Sequence, residues 1–106
     1  LEVVRDFPAQ VKQTFGFALY QAQHGGRHVQ TKPLRGFGGT SVVEIVENSP
    51  DGAFRCVYAV KFKARIYVLH AFQKKSTRGI KTSQRDIEMI RQRLALAARH
   101  DKENPV

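Results

Sequence analysis

Three stretches that alternate apolar and polar residues, separated by turn signals and flanked by two segments of helical period, constrain this chain most. Residues 41–47 alternate, and the run Asn48-Ser49-Pro50-Asp51-Gly52 concentrates the residues that close hairpins. Residues 53–62 and 65–73 read as a second hairpin, closed at Lys63-Ala64. Ahead of them, Val11, Phe15, Ala18, Leu19 and Ala22 recur at helical spacing. A helix over 6–23 follows, with Asp6 as its N-cap, Pro8 in its first turn and Gly25-Gly26 as its stop. Behind the strands a second helix opens at Thr82-Ser83. Ser83 and Asp86 stand at capping spacing, and Ile87, Ile90, Leu94 and Ala97/Ala98 form the apolar stripe. The stretch 24–40 holds five glycines and Pro33 without either period, so it reads as a long loop. Residues 101–106 are polar and read as a frayed end.

This order predicts an α+β fold, a small antiparallel sheet packed on an N-terminal and a C-terminal helix. A chain of 106 residues has room for one such domain, spanning 1–106. It contains no apolar run of the roughly 18 residues that a membrane span needs. One cysteine, Cys56, leaves no internal disulfide framework and points to a reducing, cytoplasmic setting.

The turns fix a register. With the first turn centred on residues 50–51, Ile45 faces Cys56 and Glu44 faces Val57. With the second on Lys63-Ala64, Val57 faces His70 and Tyr58 faces Leu69. Alternation then divides the sheet into two faces. Val43, Ile45, Phe54, Cys56, Tyr58, Val60, Tyr67, Leu69 and Ala71 form a nearly pure core face, which the helices are expected to cover. Glu44, Val46, Arg55, Val57, Ala59, Lys61, Val68, His70 and Phe72 form the other. Its middle brings an acid, an arginine and a histidine together, with Arg55 and His70 on a diagonal and Glu44 close to both. The plain structural alternative is a Glu44–Arg55 ion pair beside an indifferent histidine.

Charge is one-sided. Eighteen Lys/Arg against nine Asp/Glu give +9. Between Arg55 and Arg85 nine basic residues occur with no acid. Such a field favours a polyanion, nucleic acid first and an acidic protein second. Lys74 and Lys75 leave the third strand beside the His70 face, and Arg78, Lys81 and Arg85 lead into the last helix. Adjacent cations at a strand end suit phosphate oxygens, although a solvated loop has the same composition.

Other motifs carry less. His24-x3-His28 spans Gly25-Gly26 and lacks an acidic or cysteine partner, so no metal site is expected. Gly36-x-Gly38-Gly39 lacks the Gly-Lys-Ser/Thr ending of a phosphate loop. Cys56 lies on the core face as a small hydrophobe rather than a nucleophile.

Phe54-Arg55-Cys56-Val57-Tyr58, then residues 67–75 (Tyr-Val-Leu-His-Ala-Phe-Gln-Lys-Lys), then Lys81-Thr82 opening a basic helix, resemble the phage-derived Gp49-like branch of the HigB/RelE toxin superfamily. Residues 32–36 (Lys-Pro-Leu-Arg-Gly), Val43-Glu44-Ile45 and Phe7-Pro8 fit as well, so the resemblance covers nearly the whole chain. It implies a RelE-like domain with a further N-terminal strand ahead of the first helix, which is expected to be missing from this sequence beside the three visible strands. It implies a bacterial type II toxin, acting as an mRNA endoribonuclease on translating ribosomes. The partners would be a helix-turn-helix antitoxin, mRNA and the ribosome, with no cofactor and no metal. Arg55 matches the arginine that contacts the scissile phosphate in ribonuclease members, Lys74 and Lys75 the terminal lysine pair, and His70 the Leu-His position.

Such cleavage proceeds by attack of the RNA 2′-hydroxyl on phosphorus, leaving a 2′,3′-cyclic phosphate. It needs a base, cationic stabilisation of the phosphorane and an acid. Arg55 and a lysine would supply the charge. His70 would serve as acid or base, histidine being the side chain on this face whose ordinary pKa lies near neutrality. Glu44 would orient Arg55 or His70. Lys32, Lys61, Arg78, Lys81 and Arg85 would bind RNA phosphates. Two other classes remain open: a non-catalytic toxin that binds a protein such as gyrase, and a basic RNA-binding module without cleavage. Because Arg55 faces away from the core side, Arg55→Ala is expected to leave the fold intact.

Overall fold

The computed structural model describes residues 5–37, 41–50, 52–62, 65–74 and 82–104. Within them the order is α1 (Ala9–Gln23), β1 (Thr31–Pro33), β2 (Val42–Ser49), β3 (Gly52–Phe62), β4 (Arg65–Lys74) and α2 (Gln84–Glu103). The strands form one antiparallel sheet in the order β1-β2-β3-β4. This is the α+β architecture that the periodicity predicts.

The elements start and stop for local reasons. Pro8 rather than Asp6 stands at the N-cap of α1, with no side-chain cap bond, and its carbonyl accepts from the Lys12 amide at 3.1 Å. At the other end Gly25 takes φ +82°, and the Gly26 and Gly25 amides return to the Gln21 and Ala22 carbonyls. This two-bond closure satisfies carbonyls that the helix would otherwise orphan. Ser83 caps α2, accepting from the Asp86 amide at 3.2 Å and donating to the Asp86 carboxylate at 2.6 Å. The helix runs on to Glu103, past the expected fraying point, where Asp101 pairs with Arg65 at 3.4 Å and the His100 ring meets the Tyr67 hydroxyl at 2.9 Å.

The β2–β3 register is the expected one, with Glu44 opposite Val57 and Ile45 opposite Cys56. β3–β4 departs from it. Val57 pairs with His70, but Tyr58 pairs with Val68, so Leu69 is an extra residue on β4. This bulge turns Tyr67 and Leu69 onto the face of Val57 and Ala59, and leaves Val68 exposed. Both assignments reverse the sequence expectation, because an extra residue shifts the alternation by one.

The helices also divide differently. α1 packs Val11, Phe15, Ala18 and Ala22 on Val43, Ile45, Phe54, Cys56, Tyr58 and Ala71. α2 packs Ile90 and Ala97 on the opposite face, against Val42, Val57, Ala59 and Leu69. The helices therefore cover one face each, and the face with Glu44, Arg55 and His70 is a second core. The fourth strand, β1, lies inside the stretch that reads as a loop. A strand expected ahead of the first helix falls outside the described residues.

Candidate functional site

Glu44, Val57 and His70 are successive cross-strand partners, and Lys32 of β1 extends the row across all four strands. Each strand contributes one residue, so the sheet aligns them without any loop. Arg55 lies on the diagonal, opposite Val46 on β2 and Phe72 on β4.

Glu44 is the hub. Its side chain is 1 % exposed. One carboxylate oxygen accepts from Arg55 Nη1 at 2.8 Å and lies 3.7 Å from Lys32 Nζ, while the other accepts from Thr82 Oγ1 at 3.0 Å. Donors from β3 and the entry to α2 and a cation from β1 thus converge on one carboxylate. Burial of this kind is tolerated only when the charge is paired and hydrogen-bonded. The arginine is itself 4 % exposed, and its buried Nε has no hydrogen-bond partner among the described residues. The premise that Arg55 faces away from the core is overturned, and truncation there would take the 2.8 Å partner from the Glu44 charge.

His70 belongs to a second cluster. Its Nε2 meets Asp86 Oδ1 at 2.8 Å, its Nδ1 meets Arg93 Nη1 at 3.0 Å, and the ring stacks on Phe72 with centroids 4.9 Å apart. A guanidinium only donates, so Nδ1 is the acceptor and Nε2 carries the hydrogen given to Asp86. The same Nη1 also donates to the Leu69 carbonyl at 3.0 Å, at the bulge. Burial alone raises the Asp86 carboxyl pKa. The hydrogen bonds from Ser83 and His70, with the nearby charge of Arg85, outweigh it and hold the pKa below its ordinary value. Among the described contacts, His70 is joined to Asp86 and Arg93 rather than to Arg55 and Glu44, two strands from the latter, or roughly 10 Å.

Above Glu44 opens a cleft of about 470 Å³, lined by Lys32, Pro33, Leu34, Arg35, Glu44, Thr82 and Ile87. It lies between β1 with its following turn and the start of α2. Arg91, one turn beyond Ile87, bridges the two walls. Its Nη2 donates to the Gly36 carbonyl at 3.1 Å, and its guanidinium carbon lies 4.8 Å from the Phe37 ring centroid. Gly36 takes φ +92°, and a Cβ there would sit 3.4 Å from Arg91 Nη2.

The remaining expected residues are scattered. Lys74 ends β4 with Ala53 as its partner, and Arg85 is exposed in the first turn of α2. Lys61 lies in β3. Lys75, Arg78 and Lys81 lie outside the described residues. Sequence reasoning assigned no site role to Thr82, Asp86, Arg93 or Arg35. For Arg93 a signal existed: Asp86, Ile90, Arg93 and Ala97 share helical spacing, so two charges fall within the buried stripe.

Among the described residues, no group of three or more His, Cys, Asp or Glu could hold a metal ion. His24 Nδ1 bonds to the Tyr20 carbonyl, and His28 Nδ1 accepts from the Gln30 amide. Cys56 is buried, and burial pushes its thiol up to about 12, as suits a core residue. No helix among the described residues is long and apolar enough to cross a membrane.

The family model described as phage-derived protein Gp49-like matches residues 2–95. The chain belongs to the Gp49-like phage-derived protein family, within the RelE/HigB toxin-like superfamily. No curated protein and no solved structure matches. Membership in the Gp49-like family is consistent with a toxin of a toxin–antitoxin pair and implies a cognate antitoxin.

Proposed function

We propose that this Gp49-like chain is the toxin of a type II pair and cleaves mRNA on translating ribosomes in the cytoplasm, without a metal. The observation that carries the RNA reading is the cationic convergence beneath the cleft. Arg55 and Lys32 share one carboxylate, and Arg35 lines the wall above them. With the net charge of +9, this supports a groove that attracts a phosphodiester.

In this reading the Lys74/Lys75 pair meets the phosphorane, and Arg55, held by Glu44 and almost as buried, stabilises its charge from beneath the surface. Glu44 is a positioning residue for Arg55. His70, oriented by Asp86, moves the proton once Arg93 releases Nδ1. Lys32 and Arg35 hold flanking phosphates, with Lys61, Arg78, Lys81 and Arg85 as further contacts. The partner is an antitoxin with a helix-turn-helix DNA-binding domain.

Induced expression of the chain with labelled amino acid or thymidine tests the class. Amino-acid incorporation stops first if mRNA is cut. DNA synthesis stopping first would replace this reading with a toxin that binds gyrase. Ends mapped on cellular mRNA must carry 2′,3′-cyclic phosphate. Arrested translation with intact mRNA would leave an RNA-binding protein that does not cleave.

A further inference from the structure

We propose that the cleft between β1 and the start of α2 takes one unstacked nucleotide, its base against Leu34 and Ile87 and its phosphate on Lys32 and Arg35. The inference rests on the RNA reading above and gives it a position for recognition beside the Glu44–Arg55 pair.

The volume is the first argument. About 470 Å³ falls within the usual range of small-ligand pockets and has room for one nucleotide. The lining is the second. Pro33, Leu34 and Ile87 offer apolar surface to a flat base, and Lys32 and Arg35 offer charge to a phosphate. A cleft with both apolar and cationic lining suits an amphipathic anion better than a bare phosphate. Glu44 does not repel it, because its charge is matched by Arg55 and its side chain is nearly sealed.

The third argument is that the width of the slot is set. Arg91 ties the Gly36–Phe37 turn to α2 through a carbonyl and an aromatic ring. Leu34 and Arg35 lie on one tied wall and Ile87 on the other. Arg91 is exposed and touches none of the reacting groups. It is a positioning residue for the pocket.

Titration of the full-length protein with nucleoside 5′-monophosphates, adenosine and inorganic phosphate, read by amide NMR, tests this. Monophosphates should shift residues 32–35, Thr82 and Ile87 saturably, with phosphate or adenosine alone binding more weakly. Arg35→Ala should weaken nucleotide binding about ten- to hundredfold, the loss of one charge-assisted contact, with the melting temperature unmoved. Arg91→Ala should weaken it too and speed hydrogen exchange at residues 34–36. Equal binding of phosphate and nucleotides overturns the base slot. No saturable shift, or shifts only with an acidic peptide, overturns the pocket altogether. Nucleotide binding without RNA cleavage leaves the pocket standing and removes the enzyme, whereas cleavage without nucleotide binding does the reverse.

Discussion

Arg55 donates to Glu44 at 2.8 Å between neighbouring strands, and both side chains lie almost wholly out of water. Each therefore depends on the other for its charge. Arg55→Ala should destabilise the fold by roughly 3–5 kcal/mol, the usual cost of breaking one side of a buried pair. Urea unfolding measures it. Replacing both residues with apolar ones of similar volume, Glu44→Leu with Arg55→Met, should recover most of the loss while activity stays abolished. A stable, fully folded Arg55→Ala would mean that water reaches Glu44 freely.

His70→Gln separates proton transfer from scaffolding. A glutamine amide can still accept from Arg93 and donate to Asp86, so the variant should stay folded. If His70 carries the proton, the single-turnover cleavage rate should fall about 10²–10⁴-fold and the pH–rate profile should flatten between about pH 5 and 8. An unchanged rate and profile in folded protein would assign proton transfer elsewhere.

Asp86 should give the fold an acid-sensitive increment. Its folded pKa is held below the ordinary 3.8 despite burial. A carboxylate lowered in this way contributes stability above its unfolded pKa and loses it as pH falls through the folded value. Melting temperatures between pH 5 and 2 should therefore drop more for wild type than for Asp86→Asn. Asp86→Asn itself should be less stable at neutral pH, having lost the carboxylate partner of Ser83 and His70. Parallel pH curves for the two proteins would contradict the assignment.

The lysine pair should be read by salt. If Lys74 and Lys75 each neutralise one RNA phosphate, the double alanine variant should lower the slope of log affinity against log salt by about 1.4. The loss of affinity should then be greatest at low ionic strength. An unaltered slope would return both residues to a solvated strand end.

Glu44 and Arg55 were legible because they depend on one short hairpin. Asn48 to Gly52 closes β2 on β3 in a single register, and alternation does the rest. His70 was placed correctly against Val57 and on the diagonal from Arg55, but without its hydrogen-bond partners. Its partners Asp86 and Arg93 come from α2, which no strand arithmetic can position. The strand β1 was not legible at all, because three residues ending in Pro33 are too few to show a period of two.

What the sequence determined by itself was local: turn residues that set the β2–β3 register, the Gly25-Gly26 stop of α1 and the Ser83 cap of α2. These follow from conformations and hydrogen bonds spanning a few residues. What only the tertiary structure decided was which surface each element met. α2 crosses to the face opposite α1, the bulge at Leu69 turns Tyr67 and Leu69 toward it, and Thr82 arrives beside Glu44 from 38 residues away. The physical reason is that both faces of the sheet are apolar enough to need covering. A helix on each buries Ile45 and Tyr58 on one side and Val57 and Leu69 on the other, and the charged row is enclosed in the process.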